Sequence, residues 1–108
     1  MKSCLLDEEA LDQTARLFRA LGDVPRLRLV AHLAQGEHNV TSLAAEEGEQ
    51  LSTVSQRLRV LRTEKIVIRR RQGKEIVYTL ADRHVFDLVT NAMEHVAEPA
   101  GGPRPTDT

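Results

Sequence analysis

LSTVSQRLRVLRTEKIVIRRRQGKEIVYTL, residues 51–80, changes its apolar period once, and that change decides the fold. In the first half Val54, Leu58 and Leu61 recur three or four residues apart, which puts them on one stripe of a helix. In the second half IVIRRR and EIVYTL are rich in β-branched residues and flank QGK, the pattern of two strands joined by a tight turn. A polar helix leading straight into a hairpin predicts a recognition helix with a wing.

Upstream, Leu11, Leu17, Phe18 and Leu21 predict a first helix over residues 7–21, closed by Gly22. Pro25 suits the first turn of a second helix, with Leu27, Val30, Ala31 and Ala34 on one side and Gly36 as its stop. TSLAAEEG predicts a third helix from Thr41 to a stop at Gly48, and Ser52 is the expected cap of the fourth. Downstream, Asp82 is the expected cap of a last helix that runs to about Ala97 before Pro99 stops it. PAGGPRPTDT, residues 99–108, has the composition of a disordered tail. The expected fold is mainly α with a β-hairpin: one winged helix-turn-helix domain over residues 1–98, then the tail.

A chain of 108 residues makes one domain with a modest core, too short for a large buried active site. No apolar run approaches the length that crosses a bilayer, and MKSCLLDEEALD lacks a secretory pattern, so a cytoplasmic location is expected. Cys4 alone makes neither an internal disulfide nor a thiolate cluster. The net charge of −1 argues against a nucleic-acid partner, but its distribution does not. Residues 51–80 carry eight basic side chains against Glu64 and Glu75, a local balance of +6. That segregation is either a solvated face or a field for an anionic partner.

With Val54, Leu58 and Leu61 inward, Ser52, Gln56, Arg59 and Thr63 fall on the opposite side, with Thr53 and Ser55 on its flanks. Such side chains reach base edges in a major groove, while arginines such as Arg57 and Arg59 contact guanine or phosphate. The hairpin offers Arg69, Arg70, Arg71 and Lys74 to phosphates. Because strand side chains alternate, the three arginines cannot all meet one duplex face, and Arg69 and Arg71 form the candidate set with Lys74. The bland alternative is an exposed helix with a charged edge hairpin.

The last helix, DRHVFDLVTNAMEHVAE, carries His84 and His95 eleven residues apart. That is about 16 Å of rise and close to three turns, so the two imidazoles share a face but cannot hold one metal within a chain. Asp82 can swing beside His84, and Glu98 follows His95 by three residues. Two such helices packed antiparallel about a two-fold axis would set Asp82 and His84 of one chain against His95 and Glu98 of the other, a tetrahedral set suited to zinc. Val85, Leu88, Val89, Ala92 and Val96 form an apolar stripe beside these ligands, which favours a dimer seam there. A purely structural histidine face gives the same spacing.

From about Leu11 to Glu98 the chain resembles the ArsR/SmtB family of winged-helix metal-sensing repressors, most closely in VSQRLRVL and in the wing RRRQGKEIVYTL. The family usually has a histidine after the serine of VS, where Gln56 stands here. The resemblance implies a homodimer through the N- and C-terminal helices, binding double-stranded operator DNA with an inverted repeat. It also implies a metal site on the last helix made of an Asp-x-His pair and a His-x-x-Glu or His-x-x-His pair, matched by Asp82, His84, His95 and Glu98. Soft-metal members use cysteines near the start of the third helix, but EHNVTSLA has Asn39 and Thr41 there, which speaks against arsenic, lead or cadmium. Cys4, His32 and His38 are either auxiliary ligands or ordinary surface and core residues.

The expected function is transcriptional repression by an apo dimer that zinc releases from DNA. Cobalt accepts similar ligands, and nickel does so if the site recruits more. The alternatives are a winged-helix regulator answering to cobalt, nickel or a non-metal inducer, a small zinc enzyme, and a non-specific DNA-packaging protein. Four protein ligands would close the sphere that a catalytic zinc keeps open, and no other catalytic constellation stands out, so no enzyme is expected.

Overall fold

The computed structural model describes residues 6–99. Among them the elements run α1 (Glu8–Leu21), α2 (Val24–Ala34), β1 (His38–Asn39), α3 (Val40–Glu47), α4 (Leu51–Thr63), β2 (Val67–Gln72), β3 (Glu75–Leu80) and α5 (Arg83–Ala97). The predicted tail beyond Pro99 lies outside the described residues, as does Cys4.

Gly22 ends α1, its N–H donating to the Phe18 carbonyl at 2.8 Å. Asp23 then caps α2 by accepting from the Arg26 N–H at 3.1 Å, with Pro25 in the first turn as expected. Arg26 reaches back, its Nε donating to the Ala20 carbonyl at 2.7 Å, so one side chain ties the end of α1 to the start of α2. These two helices frame the α3–α4 unit. Gly48 closes α3 in the left-handed region (φ 63°), where a side chain would strain the backbone. Only Glu49 and Gln50 separate it from α4.

The core gathers where α4 crosses the other elements. Val54, Leu58 and Leu61 are fully buried, as the period predicts, and meet Leu29, Val30, Leu43, Ile66 and Val67, also fully buried. Each contributes about 1.5–3 kcal/mol relative to exposure. The hairpin register runs from Val67↔Leu80 to Gln72↔Glu75, and Gly73 (φ 65°) provides the turn.

Several expectations need correction. In α2 the structure buries Leu29, Val30 and Leu33, while Leu27, Ala31 and Ala34 are only half-buried. That helix is covered on two sides, and the expected stripe is the one turned toward α5, where Leu27 and Ala31 meet Val89 and Met93. Helix α3 starts at Val40 rather than Thr41, because Asn39 is the cap, accepting from the Ser42 N–H at 2.7 Å. Helix α4 is not capped by Ser52: the short turn after Gly48 starts the helix at Leu51, and Gln50 is the cap residue, without a side-chain bond. The hairpin also gains a third strand, giving the antiparallel order β1-β3-β2, with His38↔Tyr78 and Asn39↔Val77. A two-residue strand has too little periodicity to be read in sequence.

Helix α5 is built as expected, from an Asp82 cap that accepts from the Val85 N–H at 3.0 Å to Ala97. Val85 and Val89 are buried and Leu88 is half-buried, but Ala92 and Val96 of the same stripe are exposed.

Candidate nucleic-acid interface and metal centre

Helix α4 leaves Ser52, Ser55, Gln56 and Arg59 exposed, with Thr53 and Arg57 half-buried on its flanks. Since the cap lies at Gln50, Ser52 sits within the first turn with its side chain toward solvent. Arg57 is partly engaged inside the protein, its Nη1 3.6 Å from Glu49 Oε2 in the turn of the helix-turn-helix.

The wing divides its charges as strand alternation requires. Arg69 pairs in register with Tyr78, and Arg71 with Ile76, on the face whose inner end, Val67 and Tyr78, enters the core. Arg70, on the other face, donates through Nη2 to Glu37 Oε2 at 2.6 Å. Among the described residues Arg59, Arg69, Arg71 and Lys74 form no ion pair, so their charge remains available to an anion.

The metal candidates form two half-sets at opposite ends of α5. His84 Nδ1 lies 3.8 Å from Asp82 Oδ1, with the side chains 97% and 56% exposed. Asp82 therefore does two jobs, since the same oxygen caps the helix. At the far end His95 is exposed in the last turn. Glu98 is the C-cap, with extended backbone (φ −65°, ψ 141°) and its N–H donating to the His95 carbonyl at 3.3 Å. The backbone turn, not helical register, thus sets where the Glu98 carboxylate goes. Among the described residues no three His, Cys, Asp or Glu side chains converge within one chain. Each half-set supplies one imidazole and one carboxylate, chemistry that fits a borderline divalent metal only when two halves meet.

The other histidines are occupied. His32 Nε2 is 2.6 Å from Glu47 Oε2, while Arg28 Nε lies 3.5 Å from Oε1 of the same carboxylate. His38 Nδ1 is 3.0 Å from Ser42 Oγ, and the two rings meet edge-on at 6.1 Å. This cluster ties α2 to α3. Sequence reasoning missed the Glu37, Glu47 and Glu49 partners, because ion pairs between distant or loop residues leave no periodic trace.

Around α1 and α5 an apolar groove is lined by Phe18, Leu21, Leu27, Leu88, Ala92 and Met93. Phe18 and Met93 are about half exposed, and Val96 is 80% exposed. No helix among the described residues is long and apolar enough to cross a membrane.

A recognition helix followed by a charged wing defines a DNA-binding protein of the winged helix-turn-helix class. No family model matches the chain. It is 43% identical over 86 residues to the transcriptional repressor SmtB homolog of Synechocystis sp., spanning 80% of this chain but 65% of that protein's length. It is 41% identical over 93 residues to the HTH-type transcriptional regulator NmtR of Mycobacterium tuberculosis, spanning 86% of this chain and 78% of that one. The solution structure of apo-NmtR aligns over 99% of this chain and 90% of that chain, with a TM-score of 0.76 and 36% identity. A homodimeric winged helix-turn-helix DNA-binding domain from Mycobacterium bovis, a possible ArsR-family transcriptional regulator, aligns over 96% of this chain and 99% of that one (TM-score 0.78, 31% identity). The chain belongs to the ArsR/SmtB family of winged-helix metal-sensing transcriptional repressors. Family membership makes it a DNA-binding regulator of transcription.

Proposed function

We propose that the metal-free homodimer represses transcription by binding an inverted-repeat operator through two copies of α4 and two wings, and leaves it when a divalent metal joins the terminal helices. Ser52, Thr53, Ser55, Gln56 and Arg59 face the bases and neighbouring backbone, with Arg57 at the edge. Arg69, Arg71 and Lys74 neutralise phosphates. Asp82 and His84 would hold the metal together with the partner's His95 and the partner's Glu98, giving two equivalent sites per dimer. The metal supplies a cross-link between protomers. The observation that carries this reading is the division of ligands between the two ends of α5, whose exposed distal half also carries Met93 and Val96.

Two imidazoles and two carboxylates admit zinc, cobalt and nickel alike and include no thiolate to select a softer ion, so the effector is a divalent metal of this group and need not be zinc. By linkage, whatever factor the metal takes from DNA affinity, DNA takes from metal affinity.

The test follows a labelled duplex from the protein's own promoter region, at fixed salt, while zinc, cobalt and nickel are each titrated at buffered free concentrations. Release by one or more metals, abolished in His95→Ala, supports the reading, and the order of potency names the effector. Tight binding indifferent to all three sinks the metal site on α5 and directs the search to a non-metal inducer.

A further inference from the structure

Beyond the core contacts of Val67 and Tyr78, one side-chain bond ties the outer strand of the wing to the segment before β1. Asn39 of β1 and Arg70 of β2 both stand opposite Val77 of the central strand, so the three residues form one row across the sheet. Glu37 lies just before β1 and lines one cleft with Asn39, Gln72, Glu75 and Val77, together with His38 and Ser42. The Arg70 guanidinium crosses this row to reach Glu37 at 2.6 Å. Neighbouring strands are about 4.8 Å apart, so the bond spans roughly two strand spacings and needs a side chain of arginine's length. It also explains Val77, which is 6% exposed yet stands outside the hydrophobic core cluster: the row shields it on the outer face.

We infer that Arg70 is a positioning residue for DNA recognition, not a phosphate contact, and that Glu37 is its anchor. The pair's side chains are 55% and 40% exposed, so its contribution to stability is small. Its effect is orientational: it ties the outer strand of the wing to the segment that enters α3, and so fixes the angle at which Arg69 and Arg71 stand relative to α4. This inference rests on the reading that the wing meets DNA.

The discriminating variant is Glu37→Gln, which makes the protein more positive. If Arg70 touched phosphate, or if only net charge mattered, freeing it would tighten DNA binding. The clamp makes the opposite prediction: operator affinity of the full-length dimer falls about three- to tenfold, and the slope of log affinity against log salt is unchanged. Arg70→Ala should weaken binding similarly with the same unchanged slope, and the exchange Glu37→Arg with Arg70→Glu should recover most of the loss. By contrast Arg69→Ala and Arg71→Ala should each reduce the slope by about 1. Tighter or unchanged binding by Glu37→Gln, or a slope reduced by about 1 in Arg70→Ala, overturns the clamp while leaving wing contact intact. Unchanged slopes in the Arg69 and Arg71 variants overturn the wing contact, and the clamp with it.

Discussion

The two halves of α5 are consecutive turns of one helix in opposite circumstances. From Asp82 to Val89 the chain completes its own structure: the cap is bonded, and Val85 and Val89 are buried against the body. From Asn91 to Ala97 every residue is exposed, including the apolar Met93 and Val96. A helix does not carry an apolar face into water without a reason, and the proposed homodimer supplies one. On that reading the proximal half is settled by folding and the distal half by association. The proposed ligands straddle the divide, His84 on the finished half and His95 on the unfinished one.

The largest effect expected from breaking this contrast lies on the folded side. Leu58→Ala removes a fully buried side chain at the centre of the core and should cost about 2–5 kcal/mol, read by urea or thermal unfolding of the dimer at fixed concentration. On the other side, a Met93→Asp and Val96→Asp double variant should leave helical content near normal but weaken self-association by about 100-fold or more in sedimentation. Undiminished dimerisation would place the seam elsewhere.

A third substitution separates the two roles of one residue. Asp82→Asn keeps a competent helix cap, whereas Asp82→Ala loses it at a cost of about 1 kcal/mol. Both should lose metal affinity, roughly 10-fold or more, so a metal defect without a stability defect in Asp82→Asn would isolate ligation from capping. Acid should act on the metal site as these variants do, because only neutral imidazole ligates: metal-driven release should weaken as pH falls. The smallest effect concerns Lys65, which ends α4 with φ at 60°, a backbone region that glycine enters more cheaply. Lys65→Gly should leave stability unchanged or raise it by about 1 kcal/mol, visible as a shift in the unfolding midpoint.

The same divide governs what the sequence could reveal. The α4 stripe, the hairpin and the Asp82 cap were legible because one local signal, a period or a capping residue, determined each. Helix α2 has two apolar stripes, and only the fold assigns one to the core and the other to the groove beside α5. Ser52 resembled a cap, but a left-handed Gly48 shortened the turn and moved the helix start one residue upstream of it. The Arg70–Glu37 and Arg57–Glu49 pairs depend on tertiary neighbours, for which charge counting holds no record.

Placing half of a ligand set at each end of a rigid 15-residue helix has a consequence for dosage. A lone protomer cannot assemble a site, so occupancy under the proposed scheme depends on the abundance of the sensor as well as on the free metal, by mass action. A cell that makes more of this protein would lower the metal concentration at which its own dimers fill, provided the dimer dissociates in that range. Copy number would then tune the threshold of the response with no change in any side chain.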